Sequence, residues 1–233
     1  MILAILQARM SSTRLPGKVM ADVLGMPMIG RQIERLRRCR RLDALAVATS
    51  DQADDDPLAR YCATLGLPVY RGSLADVLDR FRHAALAFGP ADTVVRLTAD
   101  CPLADWTVID AVVEASASGG FDYVNNTTPE RTFPHGLDAE AMTAEALDAA
   151  WREASDPYER EHVTPFIYRH PERFRLGSVT SPDPAPQLRW TVDTPEDLAF
   201  VRYVYGELYD KDPAFGSTAI SALPRNSSLI PAG

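Results

Sequence analysis

The sequence predicts an α/β fold with a doubly wound, mostly parallel sheet, and three observations predict it. Short aliphatic runs alternate with segments of helical periodicity along most of the chain. The runs are about five or six residues long, the length of strands buried on both faces. At 233 residues, 46% of them hydrophobic, the chain fits one large α/β domain with a sizeable core. Parallel strands joined by helices take crossovers of the usual right hand.

Ile2 to Leu6 (ILAIL) has the aliphatic content of a buried first strand. Ala8 to Val19 behind it is polar, with Pro16-Gly17 as a turn signal. Leu24-Gly25-Met26-Pro27 is a turn, and Met28 to Arg38 a helix with Ile29, Ile33 and Leu36 on one face. Its opposite face, Arg31, Arg35 and Arg38, is expected in solvent. Ala44 to Ala48 is a strand ending in Thr49-Ser50-Asp51, Asp54 to Leu65 a helix, and Leu67 to Tyr70 a strand. Ser73 is expected to cap the next helix, with Asp76 three residues on in a capping-box analogue, and Gly89-Pro90 stops it.

Asp92 to Leu97 is a strand, Asp105 to Ser116 a helix, and Phe121 to Asn125 a strand. After Asn126 the pattern changes. Thr127 to Gly136 is turn-rich, Leu137 to Met142 a strand, and two helices follow at Ala144 to Ala154 and Tyr158 to Tyr168. Phe174 to Val179 and Gln187 to Val192 are expected strands on either side of a proline-rich loop. Thr194 N-caps a last helix with Pro195 at its first position. The tail from Asp212 has little periodicity.

Charge narrows the function. The net charge of −8 does not favour nucleic acid, yet Met1 to Arg41 holds nine of the 24 basic residues and only two acids, Asp22 and Glu34. A small anionic ligand suits that imbalance. Three cysteines without CxxC spacing argue against a disulfide framework or a zinc site. No apolar run reaches the roughly 18 residues of a membrane span, and the first strand is too short for a signal peptide. A cytoplasmic chain is expected. Lys18 and Lys211 are its two lysines against 22 arginines, so Lys18 marks a position where a compact ammonium matters.

Arg9, Arg14 and Lys18 on a turn behind the first strand form a candidate polyphosphate loop, the alternative being an exposed basic connector. Neither GxGxxG nor GxxxxGK[ST] occurs, so dinucleotide-binding and P-loop chemistry are set aside. Two acidic strand ends stand out: Asp100 in RLTADCPL and Asp193 in WTVDTPED. If they converge, the pair suits Mg²⁺, which takes one or two carboxylates together with substrate phosphates. Alternatively, each is a turn or helix-capping aspartate. A cationic loop facing an acidic pair is the arrangement that phosphoryl or nucleotidyl transfer requires, with no protein nucleophile.

These residues resemble the cytidylyltransferases that activate acidic sugars as CMP-sugars. Ser12 to Lys18 (STRLPGK) is close to the CMP-Kdo synthetase branch, and RLTADCPL and VDTPEDL are similar to the family's two aspartate motifs. The whole-chain pattern, with EHVTPFIY at Glu161 to Tyr168, resembles the spore-coat polysaccharide branch, over about Met1 to Leu208. The resemblance implies a GT-A-like nucleotide-diphospho-sugar transferase fold and transfer from CTP with release of pyrophosphate. It implies that Arg9 and Lys18 hold the triphosphate with Ser11, Ser12 and Arg14 nearby, and that Asp100 and Asp193 ligate Mg²⁺. Leu6, Ala8, Thr98 and Ala99 are expected around the base. The family pattern also implies an acceptor and dimerisation subregion within residues 126–180, and a homodimer. Around the acceptor, His135, Asp138, Arg160 and His162 are the candidates, with a structural histidine and helix-end charges as the alternative readings. Val19 and Cys101 depart from the sialic-acid and Kdo branches respectively, so the acceptor sugar stays open. A related glycosyltransferase would carry D-x-D where this chain has Asp100-Cys101-Pro102, and a non-catalytic subunit would lack the loop or an aspartate.

Overall fold

The computed structural model describes residues 1–224. Its centre is β1 (Ile2–Gln7), flanked by two parallel neighbours. After a 3₁₀ turn at Lys18–Met20, a small hairpin of β2 (Asp22–Val23) and β3 (Met26–Pro27) leads into α1 (Met28–Leu36). The hairpin turn is the expected one, with Leu24 and Gly25 both at positive φ. Next come β4 (Ala44–Ser50), α2 (Asp56–Thr64), β5 (Val69–Gly72), α3 (Val77–Phe88), β6 (Thr93–Thr98) and α4 (Trp106–Gly119). The chain continues through β7 (Tyr123–Asn125), β8 (Glu140–Thr143), α5 (Ala144–Glu153), α6 (Pro157–His162), α7 (Pro165–Tyr168), β9 (Leu176–Ser178), α8 (Pro195–Leu208) and α9 (Ser217–Ser221).

The sheet order is β5-β4-β1-β6-β8-β7-β9. All pairings are parallel except those of β8, which runs antiparallel to β6 and β7. This is the expected mostly parallel α/β sheet. Residues 126–180 belong to the same sheet, since β8 lies between β6 and β7.

Alternation along β1 divides the core. Leu3 and Ile5 pack on one face with Phe81 of α3 and Leu147 of α5; Ala4 and Leu6 pack on the other with Ile29, Ile33, Leu58 and Ile109. Each fully buried Leu or Ile is worth about 1.5–3 kcal/mol, so a one-residue slip of β1 would be strongly opposed. A third cluster gathers Val23, Met28, Leu103, Trp190 and Val192 under α8.

Four local expectations differ from the structure. Arg31 and Arg35 are buried rather than solvated, because α8 and the tail cover that face of α1. Arg31 Nη2 donates to the Leu24 carbonyl at 2.6 Å, and Arg35 Nε to that of Ala104 at 2.7 Å. Their guanidinium groups lie over the Tyr209 and Phe215 rings at 4.3 and 4.4 Å. The tail of low periodicity therefore has a packing role. Asp76, not Ser73, caps α3, accepting from the Asp79 amide at 2.9 Å, while Ser73 Oγ accepts from the Asp76 amide one turn earlier.

The segment 187–192 forms no strand. It makes a single parallel bridge, His135 to Arg189, because its neighbours are loops rather than a ladder. The expected helix Tyr158 to Tyr168 breaks at Val163, whose φ of 72° is a steric outlier for a β-branched residue. The break separates α6 from α7 directly after His162.

Candidate active site

β4 and β5 lie on one side of β1 and β6 on the other, so the strand order reverses between β1 and β6. Ligands in open α/β sheets bind beyond the carboxyl ends of strands at such a reversal. Gln7 and Thr98 are paired there, and the Ala99 amide donates to the Gln7 carbonyl at 2.9 Å. The loops 8–17 and 99–105 thus leave the sheet side by side.

The first loop is shaped by backbone bonds and one buried carboxylate. The Met10 carbonyl accepts from both the Ser12 and Gly17 amides at 2.9 Å, and Gly17 takes the left-handed φ of 72° that starts the Lys18 turn. Asp55 Oδ1 accepts from the Met10 amide at 2.6 Å, while its Oδ2 accepts from the amide and hydroxyl of Ser50. Burial alone would raise the Asp55 pKa, but the bonds from Ser50 and Met10 outweigh it and hold the carboxyl below its ordinary value. Asp55 therefore pins the loop to the end of β4.

The Asp100 loop beyond β6 and the extended segment before Asp193 meet. The Val192 amide donates to the Asp100 carbonyl at 2.8 Å. Neither aspartate caps a helix. Asp105 caps α4, and Thr194 caps α8 in a capping box with Asp197, whose Oδ2 accepts from the Asp193 and Thr194 amides at 2.8 Å. The Asp193 carboxylate is left for three cations. Its Oδ1 stands 2.9 Å from Arg14 Nη2 and 3.0 Å from Lys18 Nζ, and its Oδ2 pairs with Arg189 Nη2. Lys18 Nζ also donates to the Val192 carbonyl at 2.5 Å. Burial would raise the Asp193 pKa, but Lys18, Arg14 and Arg189 overcome it and keep the group ionised.

A cleft of ≈ 330 Å³ is lined by this constellation: Gln7, Ala8, Arg9, Ser12, Thr13, Arg14, Lys18 and Val19 from the first strand and loop, Arg96 to Asp100 except Leu97, then His162 and Asp193. Of the expected base-side residues, Ala8, Thr98 and Ala99 line it. Leu6 does not, being fully buried in the core like Leu3 to Ile5, and Gln7 at the end of β1 takes its place. Ser11 is exposed and outside the lining.

A second cleft of ≈ 310 Å³ shares Arg96, Thr98 and His162 with the first. It adds Thr127, Thr128, Arg131, Asp138 and Glu140, with Tyr158, Thr164, Pro165 and Tyr168 from the α6–α7 region. Its charges are paired. Arg131 forks onto Asp138 at 2.6 and 3.0 Å, and Arg96 pairs with Glu140, which also accepts from Tyr123 Oη at 2.5 Å and Thr164 Oγ1 at 2.7 Å. Asp138 and His162 are thus at this cleft, the His162 ring centroid 4.2 Å from that of Tyr158.

His135 and Arg160 line neither cleft. The His135 backbone brackets residues 188–190, and burial together with Arg131 lowers its imidazole pKa. Arg160 is committed to Asp76, at 3.0 Å from Nε, and to the Trp151 carbonyl at 2.7 Å. Arg160 lies in the last turn of the short α6, and a helix-end charge gives no sequence signal of such a distant partner. Arg96, Arg131 and Arg189 went unselected for a similar reason: in an arginine-rich chain, spacing does not mark the ones whose partners line a cleft.

A divalent cation fits the donor set. Asp100 has no cationic partner among the described residues, its carboxylate meeting only the Cys101 thiol at 3.4 Å. Burial pushes the Cys101 thiol well above its ordinary pKa, so the available ligands are hard carboxylate oxygens, suited to Mg²⁺ or Mn²⁺. No group of three or more His, Cys, Asp or Glu able to hold a metal occurs among the described residues, so substrate oxygens and water would complete the shell.

The sequence model of the cytidylyltransferase family matches residues 3–209. The chain belongs to the cytidylyltransferase family. It is 35% identical over 232 residues to the spore coat polysaccharide biosynthesis protein SpsF of Bacillus subtilis, covering 97% of this chain and 95% of that one. A 3-deoxy-manno-octulosonate cytidylyltransferase of Anaeromyxobacter dehalogenans is 39% identical over 120 residues, 51% of this chain and 48% of its own. The solved structure of a cytidylyltransferase from Leptospira borgpetersenii superposes with a TM-score of 0.90 at 30% identity, covering 98% of this chain and 96% of that chain. As a cytidylyltransferase, the protein is an enzyme of nucleotidyl transfer, and the loop, Asp100 and Asp193 described above fall within the matched residues.

Proposed function

We propose that the enzyme couples CTP to an acidic sugar or sugar-like acceptor, with release of pyrophosphate, for a surface polysaccharide or glycoconjugate. The observation that carries this reading is that the cationic loop, Asp100 and Asp193 line one cleft, which shares a wall with a second. In it, Arg9, Ser12, Arg14 and Lys18 hold the triphosphate, the arginines by forked bonds and Lys18 as a point charge. Asp100 and Asp193 hold Mg²⁺, which when bound neutralises charge on the phosphate oxygens.

The acceptor occupies the second cleft. Asp138 accepts hydrogen bonds from its hydroxyls, the threonine hydroxyls both accept and donate, and Arg131 meets its carboxylate. His162, on the shared wall, orients the hydroxyl that attacks the α-phosphorus. The acceptor oxygen bonds to the α-phosphorus as the α-phosphorus bond to the α–β bridging oxygen breaks; the hydroxyl proton passes to water, and pyrophosphate carries off the bridging oxygen on the Lys18 side. Positioning and fixed charge supply the catalysis, so no covalent intermediate is required.

The names of the relatives support a sugar acceptor and cytidine as the base. The same reading takes the enzyme as a cytoplasmic homodimer of single-domain chains, with residues 126–180 serving the acceptor and the dimer contact. No helix among the described residues is long and apolar enough to cross a membrane.

A pyrophosphate-release screen of the four nucleoside triphosphates against a panel of acidic sugars tests the proposal. Release with CTP and an acidic acceptor is expected. Preference for another triphosphate, or turnover confined to neutral acceptors, would overturn it.

A further inference from the structure

We propose that Asp193 serves two partners in turn: it holds Lys18 and Arg14 while the cleft lacks nucleotide, and takes the divalent cation once the triphosphate has drawn those two away. The inference rests on the reading of Asp193 as a metal ligand and of Lys18 and Arg14 as triphosphate ligands. It adds a coupling between the two binding events.

The two carboxylates of the cleft are not alike. Asp100 has no cationic partner among the described residues, whereas Asp193 has three. Those three are divided by position. Lys18 and Arg14 both approach Oδ1, within 3.0 Å, and both line the cleft that a nucleotide would enter. Arg189 meets Oδ2, is absent from that lining, and lies 3.7 Å from a second carboxylate, Asp197. A ligand therefore competes for the two cations on Oδ1 and leaves the one on Oδ2.

With Asp197 beside Arg189 counted, two carboxylates among three cations leave a net local charge of about +1, and both Asp193 oxygens already have cationic partners, so a divalent ion is disfavoured there. Lys18 and Asp193 are only 11% and 13% exposed, so water screens the pair weakly. A triphosphate reverses the sign of the local field and offers Lys18 and Arg14 stronger partners, which frees Oδ1. Metal and nucleotide must then bind cooperatively, and by linkage each raises the affinity of the other equally. The cations that hold the substrate also keep the metal site closed until substrate arrives.

Mn²⁺ binding to the whole protein, followed by paramagnetic relaxation of water protons without acceptor, tests this. Without nucleotide, Lys18→Met should bind Mn²⁺ about 10-fold more tightly than wild type, and Arg14→Met, at a 63% exposed side chain that folding tolerates, about 3-fold more tightly. Adding Asp193→Asn to either variant should abolish the gain. No gain in a folded Arg14→Met or Lys18→Met protein, or a gain that survives Asp193→Asn, would overturn the exchange. With CTP present, Asp193→Asn should weaken Mn²⁺ binding. If it does not, the metal assignment itself fails, an outcome distinct from failure of the exchange.

Discussion

Lys18 Nζ stands 3.0 Å from Asp193 Oδ1, joining the loop behind the first strand to a strand-like segment 175 residues further on. Lys18 has no carboxylate partner near it in the sequence, and Asp193 has Arg189 four residues earlier on its other oxygen. The contact exists because the 192–193 segment is bonded to the Asp100 loop, which emerges beside the first loop at the edge of β1 and β6.

Lys18→Ala should separate the phosphates. A hydrogen bond to a charged group is worth about 1.5–3 kcal/mol, so CTP affinity should fall about 10- to 100-fold. CMP affinity should change by less than about 3-fold, since its single phosphate lies away from Lys18. Isothermal titration of both nucleotides checks this, and equal losses would remove Lys18 from the β- and γ-phosphates.

Asp55→Ala should cost about 2–4 kcal/mol, because it strands the Met10 and Ser50 amides in a buried place. It should also loosen the first loop and weaken CTP binding. The pH dependence has a defined sign. The folded-state pKa of Asp55 lies below its ordinary value of 3.8, so its stabilisation is complete above that pH and is lost as pH falls through the folded value. Urea unfolding across this acid range should show a flatter fall in stability for Asp55→Asn than for wild type.

Arg35→Met should destabilise the fold by about 2–4 kcal/mol, since the carbonyls of Ala104 and Phe215 lose their donor. Arg60→Met, at an exposed side chain with one loose ion pair, should stay within about 0.5 kcal/mol of wild type. Urea midpoints of the two variants give the comparison. Similar values would mean that the buried arginine face of α1 contributes little.

The arginines also show where sequence reading ran out. Aliphatic runs and their alternation made the strands and the sheet class legible, because a strand buried on both faces needs such residues wherever it sits. Arg31 and Arg35 carry the opposite signal, and only their cover by Tyr205, Tyr209 and Phe215 makes that face interior. Leu6 is core because both faces of β1 are covered up to its last residue, and Gln7 reaches the cleft because it ends the strand. Lys18, Asp100 and Asp193 were legible because each ends or follows an apolar run in a polar turn. Asp55 gave no such signal, since its role depends on amides that only the folded loop brings to it.

Glu140→Gln should leave Arg96 charged without its carboxylate between the two clefts. Breaking a buried pair from one side costs about 3–5 kcal/mol, reduced here because Gln still accepts from Tyr123 and Thr164. A thermal shift of several degrees downward is expected, together with a larger rise in KM for the acceptor than for CTP. An unchanged melting temperature would show that the Arg96–Glu140 pair does not organise the shared wall.

The most direct test is metal-dependent pyrophosphate release by Asp100→Asn and Asp193→Asn beside wild type. The Asp100 carboxylate meets only the Cys101 thiol, and its backbone bond to Val192 survives substitution, so Asp100→Asn should unfold like wild type in urea. Both variants should lose about 100-fold or more of their turnover at saturating Mg²⁺ and CTP, the scale of losing one electrostatic anchor of a transition state. Release within about 3-fold of wild type in either folded variant would contradict a metal site shared by Asp100 and Asp193.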